Sequence, residues 1–188
     1  MTVENAVRTI APHPEFRREV EAHSGQLVST CFQCEKCSSG CPVTFAMDIL
    51  PHRLIRAVHL GLKDEVLGSR TIWTCASCET CSTRCPNGID IAHVMDAARQ
   101  LCLEQDYPPA LPKVPAFHRA FLGSIRRHGR VSEMEFAAGF VLRTGGVKGA
   151  WGFKNYGLAL FKHGKIKLPL SNLKGVGKIR KLFEQSGV

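Results

Sequence analysis

Several absences narrow the field before any motif is considered. No apolar run approaches the roughly 18 residues of a membrane-spanning helix; the most apolar patch, Phe136–Leu142, is far shorter. The opening stretch, Met1–Ile10, has no apolar core of the kind a secretory signal carries, so the expected compartment is the reducing cytoplasm. Strand-like alternation is almost missing, which argues against a sheet. Gly175-Val-Gly177 lacks a third glycine and a preceding strand, and Gly164-Lys165 lacks the upstream glycine and following Ser/Thr of a phosphate-binding loop. His52, His59, His93, His118, His128 and His163 are scattered, with no H-E-x-x-H pair, and read as polar-face or core-edge histidines. No nucleophile stands with a base and no carboxylate pair occurs, so the chain offers no independent bond-making site.

Acidic residues are scarce in one half only. Residues 1–112 hold 10 Lys/Arg against 13 Asp/Glu, whereas residues 113–188 hold 15 Lys/Arg against 3 acids. A change of sign on this scale points to two modules with different surroundings. The basic charges stand singly among Leu, Phe and Gly, without a run or an aromatic ladder. They suit a docking face for an acidic partner better than nucleic acid.

What the chain does have is cysteine, in a duplicated run. Cys31, Cys34, Cys37 and Cys41-Pro42 follow C-x2-C-x2-C-x3-C-P, and Cys75, Cys78, Cys81 and Cys85-Pro86 repeat it. This spacing holds cubane [4Fe–4S] clusters in two-cluster ferredoxins, where the fourth cysteine of a run ligates the other cluster. Three thiolates on a tight loop cap three irons of a cube, and the fourth iron points away to a ligand from elsewhere. Carried over, one cluster rests on Cys31, Cys34, Cys37 and Cys85, and the other on Cys75, Cys78, Cys81 and Cys41. The implied role is electron transfer. Structural zinc uses separated C-x2-C pairs, but here each pair runs on without a gap into a third and fourth cysteine. A disulfide framework sits poorly with nine cysteines in a reducing compartment. The ninth, Cys102, lies on the apolar stripe Ile91, Val94, Met95, Ala98, Leu101 and reads as a small buried hydrophobe.

Lys36 lies between ligands of the first run and Arg84 precedes the last ligand of the second. Each is placed either to raise a neighbouring cluster's potential by favouring the more negative reduced state, or simply to be solvated. Small neighbours, Ser38, Ser39, Gly40, Ala76, Ser77 and Ser82, let backbone N–H groups approach the sulfurs.

The fold class read from the sequence is all-α: an alpha-helical ferredoxin with two clusters and a helical, Gly/Lys-rich extension. The 33 residues between Cys41 and Cys75 carry helical spacing at Leu50, Leu54, Ile55, Val58 and Leu62, with Pro51 suited to a first turn. Gly61 breaks that pattern, and a shorter turn over Lys63–Leu67 ends at Gly68. Asp90 is the expected N-cap of a helix to about Glu104, stopped by Tyr107-Pro108-Pro109. Ahead of the first run, a charged helix is expected over Pro14–His23 and an extended lead-in over Gly25–Thr30. The domain division is residues 1–107 for the cluster domain with its lead-in, and 108–188 for a basic helical extension that docks other subunits. In the extension, Val114, Phe117, His118, Phe121, Leu122 and Ile125 predict an amphipathic helix. Ser132 with Glu135 predicts a capping box, and Gly145-Gly146 a helix end. Val147–Val188, with patches at Leu158–Phe161 and Ile179–Phe183, reads as an arm that orders against another subunit or packs on its own chain.

Taken together, Thr30–Pro42, Trp73–Pro86, the linking Ile55-Arg-Ala-Val-His-Leu-Gly61, Ile89-Asp-Ile-Ala92 and the later His128-Gly-Arg-Val-Ser-Glu133 resemble the C subunit of heterodisulfide reductase over most of residues 26–145. The cysteine runs alone are shared with the iron–sulfur subunits of succinate dehydrogenase and fumarate reductase, and with anaerobic glycerol-3-phosphate dehydrogenase. Those quinone-linked enzymes are the alternative, with a zinc-stabilised interaction module behind them. The resemblance implies a non-catalytic relay between two partners. One is the flavin-containing A subunit of heterodisulfide reductase. The other is its catalytic, cysteine-rich B subunit, which acts on a heterodisulfide or related thiol substrate. The resemblance also implies access to hydrogenase or formate dehydrogenase modules through the flavin-containing partner. Adjacent Cys-Cys pairs mark the catalytic partner in that family, and this chain has none.

Overall fold

The structure is a computed structural model and describes residues 12–152, 159, 162–163, 173 and 175–186. No strand occurs among them. The chain divides into two compact units, with the boundary between Leu111 and Pro112.

The first unit is built on two long helices and a set of short ones. Helix α1 (Pro14–Ser24) begins on its proline and ends on Gly25, which takes the left-handed conformation of a C-cap. The lead-in then closes into a 3-10 turn over Val28–Thr30, where an extended segment was expected, because the N–H groups of Thr30 and Cys31 find the carbonyls of Leu27 and Val28. After the first cysteine run come α2 (Lys36–Ser39), a 3-10 turn at Thr44–Ala46, α3 (Pro51–His59) and α4 (Lys63–Leu67). The second run is flanked by α5 (Thr71–Thr74) and α6 (Thr80–Thr83), and α7 (Ile91–Glu104) closes the unit. Asp90 caps α7 as its sequence position suggests, accepting from the N–H of His93 at 3.1 Å.

The core gathers where α1, α3, α4 and α5 meet α7. Phe16, Val20, Leu54, Ile55, Val58, Leu67, Ile72, Val94, Met95 and Ala98 are all effectively solvent-free. Such side chains each contribute about 1.5–3 kcal/mol of burial, the main stabilising term for a unit this small. Cys102 is fully buried among them, its thiol facing the carbonyls of Tyr107 at 3.5 Å and Leu67 at 3.8 Å. The α3–α4 corner depends on Gly61. Its φ of +70° favours glycine, and an added Cβ would stand 2.5 Å from the carbonyl oxygen of His13. That approach lets His13 donate its N–H to the Gly61 carbonyl at 2.8 Å, tying the start of α1 to α3.

In the second unit α8 (Lys113–His128) packs on α9 (Glu133–Gly152) through Phe117 and Phe121 against Phe136 and Phe140, with ring centroids 5.0–5.9 Å apart across the pair. At Gly146, where a helix end was expected, α9 kinks (φ 57°, ψ −158°) and then resumes. The expected capping box takes another form. Ser132 donates its N–H to the Ser124 hydroxyl at 2.9 Å, and the Glu135 carboxylate is taken by Arg127, by His128 at 2.7 Å and by Ser124 at 3.4 Å. The Arg127 guanidinium at the end of α8 outcompetes a neutral backbone N–H for that carboxylate. The last helix, α10 (Val176–Ser186), packs on α8 within this chain, Arg180 donating to the carbonyls of Arg126 and Arg127 at 3.3 and 3.2 Å. The expected patch at Leu158–Phe161 lies, apart from Ala159, outside the described residues, as does the stretch Met1–Ile10.

Candidate metal centres

The two cysteine runs fold as copies of one another. Cys31 caps the 3-10 turn Val28–Thr30 and Cys75 caps α5, each in extended or near-extended backbone. Beyond each, the chain enters the left-handed region twice in the same register: at Gln33 and Glu35 (φ 55° and 63°), and at Ser77 and Glu79 (φ 48° and 58°). None of these is glycine, and such residues cost about 1–3 kcal/mol each, a strain that collects at functional loops. Glu35 and Glu79 open α2 and α6, which place Cys37 and Cys81 as their second residues. Cys41 and Cys85 follow two residues after those helices end.

The copies line two solvent-open cavities. One is lined by Cys31, Cys34, Cys37 and Cys85 together with His52, Ile55 and Ile91. The other is lined by Cys75, Cys78, Cys81 and Cys41 together with Met47, Ala92 and Ile91. In each, three cysteines come from one run and the fourth from the other. Ile91, the first residue of α7 and almost wholly buried, lines both cavities and forms a shared apolar wall. The cysteines line these spaces. Among the described residues no group of three or more His, Cys, Asp or Glu converges closely enough for a single ion. A donor set of four cysteines around an apolar-walled cavity suits a multi-iron cluster.

Hydrogen bonds around the sulfurs differ between the sites. Gln33 donates its side-chain amide to Cys31 Sγ at 3.2 Å, and its left-handed backbone turns its N–H toward the same sulfur at 3.5 Å. The matching residue of the second run, Ser77, instead donates its hydroxyl to Asp96 at 3.3 Å. Burial pushes the Cys37 and Cys81 thiols up, against the hydroxyls of Ser38 and Ser82. The exposed Cys78 thiol is drawn down by hydrogen bonds from the hydroxyl and N–H of Thr80.

The serine after each third cysteine locks its loop to the next long helix. Ser38 Oγ accepts from the N–H of His52 at 3.1 Å, and Ser82 Oγ accepts from the N–H of Ala92 at 3.4 Å; His52 and Ala92 are each the second residue of their helix. Ser82 in turn donates to Asp90 at 2.7 Å. There burial pushes the carboxyl up, but the Ser82 hydroxyl and the His93 ring and N–H outweigh it and hold it below the usual carboxylate range. His52, read from sequence as one of the scattered histidines, sits buried on the wall of the first cavity. Its ring nitrogens lie 2.8 Å from Ser38 Oγ and 3.6 Å from Glu35 Oε1. The position after Pro51, at the head of the helix following a cysteine run, was the available signal.

Two further residues brace the second site without being visible in the spacing. Asp48 accepts from the N–H of Arg70 at 2.8 Å and from the N–H and hydroxyl of Thr71 at 3.0 and 2.8 Å. Its carboxylate therefore caps α5 from outside, joining the stretch after Cys41 to the helix that ends at Cys75. Burial pushes this carboxyl up, but those hydrogen bonds outweigh it and lower it overall. Arg99 on α7 donates to the carbonyls of Ile72 and Cys75, to Asp96 at 2.7 Å and to Ser77 at 3.3 Å. Ahead of the first run, Glu21 accepts from the N–H of Val28 at 3.0 Å, while Gln26 and Asn87 stitch the lead-in to the exit of the second run through Asp90 and Thr30.

Residues 27–89 match the 4Fe-4S dicluster domain. Over 96 residues the chain is 34% identical to the C subunit of the H(2):CoB-CoM heterodisulfide,ferredoxin reductase of Methanothermobacter marburgensis, covering 51% of this chain and 52% of that protein. The same subunit of Methanothermobacter thermautotrophicus is 33% identical over 96 residues, with the same coverage. The iron-sulfur C subunit of the CoB--CoM heterodisulfide reductase of Methanopyrus kandleri is 38% identical over 80 residues, covering 43% of this chain and 42% of its own. The chain thus spans about half the length, or less, of the curated relatives it matches. No helix among the described residues is long and apolar enough to cross a membrane. Residues 27–89 form a 4Fe–4S dicluster domain whose cofactors are two [4Fe–4S] clusters, and the chain around it is similar to the C subunits of heterodisulfide reductases.

Proposed function

We propose that this chain is the electron-relay subunit of a heterodisulfide reductase-type complex, working in the cytoplasm and without a catalytic site of its own. Cys31, Cys34, Cys37 and Cys85 hold one cluster, and Cys75, Cys78, Cys81 and Cys41 hold the other. The observation that carries the reading is the composition of the two cavities, each closed by a cysteine of the opposite run. When bound, the clusters supply one-electron transfer. The chain's own part is to hold eight thiolates in place, keep water from the shared wall at Ile91 and set the two potentials through donors such as Gln33. Electrons arrive from the flavin-containing partner, itself fed by hydrogenase or formate dehydrogenase modules. They leave to the cysteine-rich catalytic partner, which acts on a heterodisulfide, the substrate in the names of the relatives. The basic extension after residue 108 is the docking region for those partners, its excess of Lys/Arg matching an acidic surface.

Anaerobic purification of the native complex tests the reading. The expected result is about eight iron and eight sulfide per chain, from two four-iron cubanes, together with a flavoprotein and a protein carrying adjacent cysteines. Zinc in place of iron, or a colourless lone protein, refutes it. Cys41→Ser tests the crossing: the cluster of the second run should lose its electron paramagnetic resonance signal while that of the first run persists. Loss of the first run's cluster instead overturns the assignment.

A further inference from the structure

The residue before the fourth cysteine differs between the runs: Gly40 in the first, Arg84 in the second. In the fold these two positions touch. The Arg84 side chain lies against Gly40, with Cδ and Cζ only 2.8 and 3.0 Å from where a Cβ at position 40 would stand. Gly40 has an ordinary right-handed backbone (φ −98°, ψ −6°) that any residue adopts. Glycine is needed there for space, not for conformation, and the space is filled by Arg84.

The contact falls where the two halves cross. Helices α2 and α6 pack on each other. Gly40 leads directly into Cys41, on the wall of the second cavity, and Arg84 leads directly into Cys85, on the wall of the first. The guanidinium thus rests one residue from a cysteine of each site. Among the described residues no carboxylate pairs with it, whereas Arg99 is held by Asp96 at 2.7 Å. Arginine stays charged at every working pH.

We propose that Arg84, seated on Gly40, is a positioning cation shared by both centres that raises the two cluster potentials together. The inference rests on the crossed cluster sites proposed above. Each cluster with its four thiolates is anionic and gains a further negative charge on reduction, so a fixed cation beside both favours both reduced states. Solvent reaches Arg84, so the effect is screened by salt. The paired carboxylate at Arg99 cancels much of that residue's charge. Arg84 itself lines neither cavity and stands between the residues that lead into Cys41 and Cys85, whereas Lys36, exposed on the first loop, lines the first cavity and not the second.

The test is a potentiometric titration of the cluster-loaded full chain followed by electron paramagnetic resonance, at low and high salt. Arg84→Gln should lower both midpoint potentials with iron content unchanged, and the shift should shrink at high salt. Arg84→Lys should stay near the wild type, and Lys36→Gln should leave the second centre unmoved. A full complement of iron in Arg84→Gln with both potentials unmoved, or only one lowered, overturns the proposal while leaving the crossed sites standing. Should Arg84→Gln fail to hold its iron, Gly40→Ala decides, since it keeps the charge but pushes it from its seat. Lowered potentials there support the proposal, and unchanged potentials refute it. A wild-type chain that loads no pair of four-iron clusters refutes the underlying reading and this inference with it.

Discussion

Asp48 offers a test in which stability and site integrity separate. The perturbation is Asp48→Ala. Three hydrogen bonds from α5 are lost, at 2.8, 3.0 and 2.8 Å from Arg70 N, Thr71 N and Thr71 Oγ1. The hydroxyl of the fully buried Thr71 keeps a partner, because the carbonyl of Ile49 accepts from it at 2.6 Å. The net loss is therefore that of a helix cap with a charged acceptor. That is about 1–2 kcal/mol, near the upper end for caps and below the cost of stranding a buried hydroxyl. In a unit of this size about 1 kcal/mol moves the melting temperature by roughly 4–8 °C, so a fall of about 4–16 °C is expected by circular dichroism under anaerobic conditions. The effect should be local as well. Because α5 ends at Cys75, the second cluster should be lost to a chelator sooner in the variant, while the first is lost at the wild-type rate. Asp48 also sets a pH window. A carboxyl lowered in the folded state adds stability that is complete above its unfolded value of about 3.9 and is lost as pH falls through the folded value. The gap between wild type and variant should accordingly close in strong acid. A melting temperature within about 1 °C of wild type at neutral pH, or equal acceleration of loss from both sites, refutes the reasoning.

Two other predictions follow from the same geometry. Gln33→Ala removes the amide that reaches Cys31 Sγ at 3.2 Å, so the first cluster's midpoint potential should fall and the second's should hold, read in the same titration; equal shifts at both would contradict it. His93 is raised above its ordinary value by its 2.6 Å hydrogen bond to Asp90. That bond stabilises the fold fully below the unfolded histidine value of about 6.5 and fades as pH rises through the folded one. Imidazole resonances should titrate at higher pH in the wild type than in Asp90→Asn, and an unchanged midpoint would remove the pair from the account.

How much of this could be read from the chain depends on how far apart the partners lie. The duplicated loops, the start of α3 at Pro51, the short α4 and the Asp90 cap were legible because each is settled by residues within a turn or two of one another. Asp48 and Thr71 stand 23 residues apart, and Arg99 and Cys75 stand 24 apart. No local pattern distinguishes those side chains from solvated ones. His52 carried one local mark, its place after Pro51, but its neighbours on the cavity wall come from Glu35, Ser38 and the far side of the second run. The capping box failed at Glu135 because its competitors, Arg127 and His128, lie across a turn that spacing does not register. The lead-in before Cys31 was misread as extended because three residues of 3-10 turn leave no periodicity to detect.

The exchange of the fourth cysteine between cavities bears on how the protein matures. With the crossed ligation proposed above, filling either cavity draws both runs into place, because each is lined by one cysteine of the other half. The first cluster to arrive also fixes the backbone beside the sulfur on which the second depends, lowering the ordering cost of the next insertion. Loading of the two proposed sites is then coupled, each favouring the other. In the relay proposed above, a chain loaded this way presents both centres together.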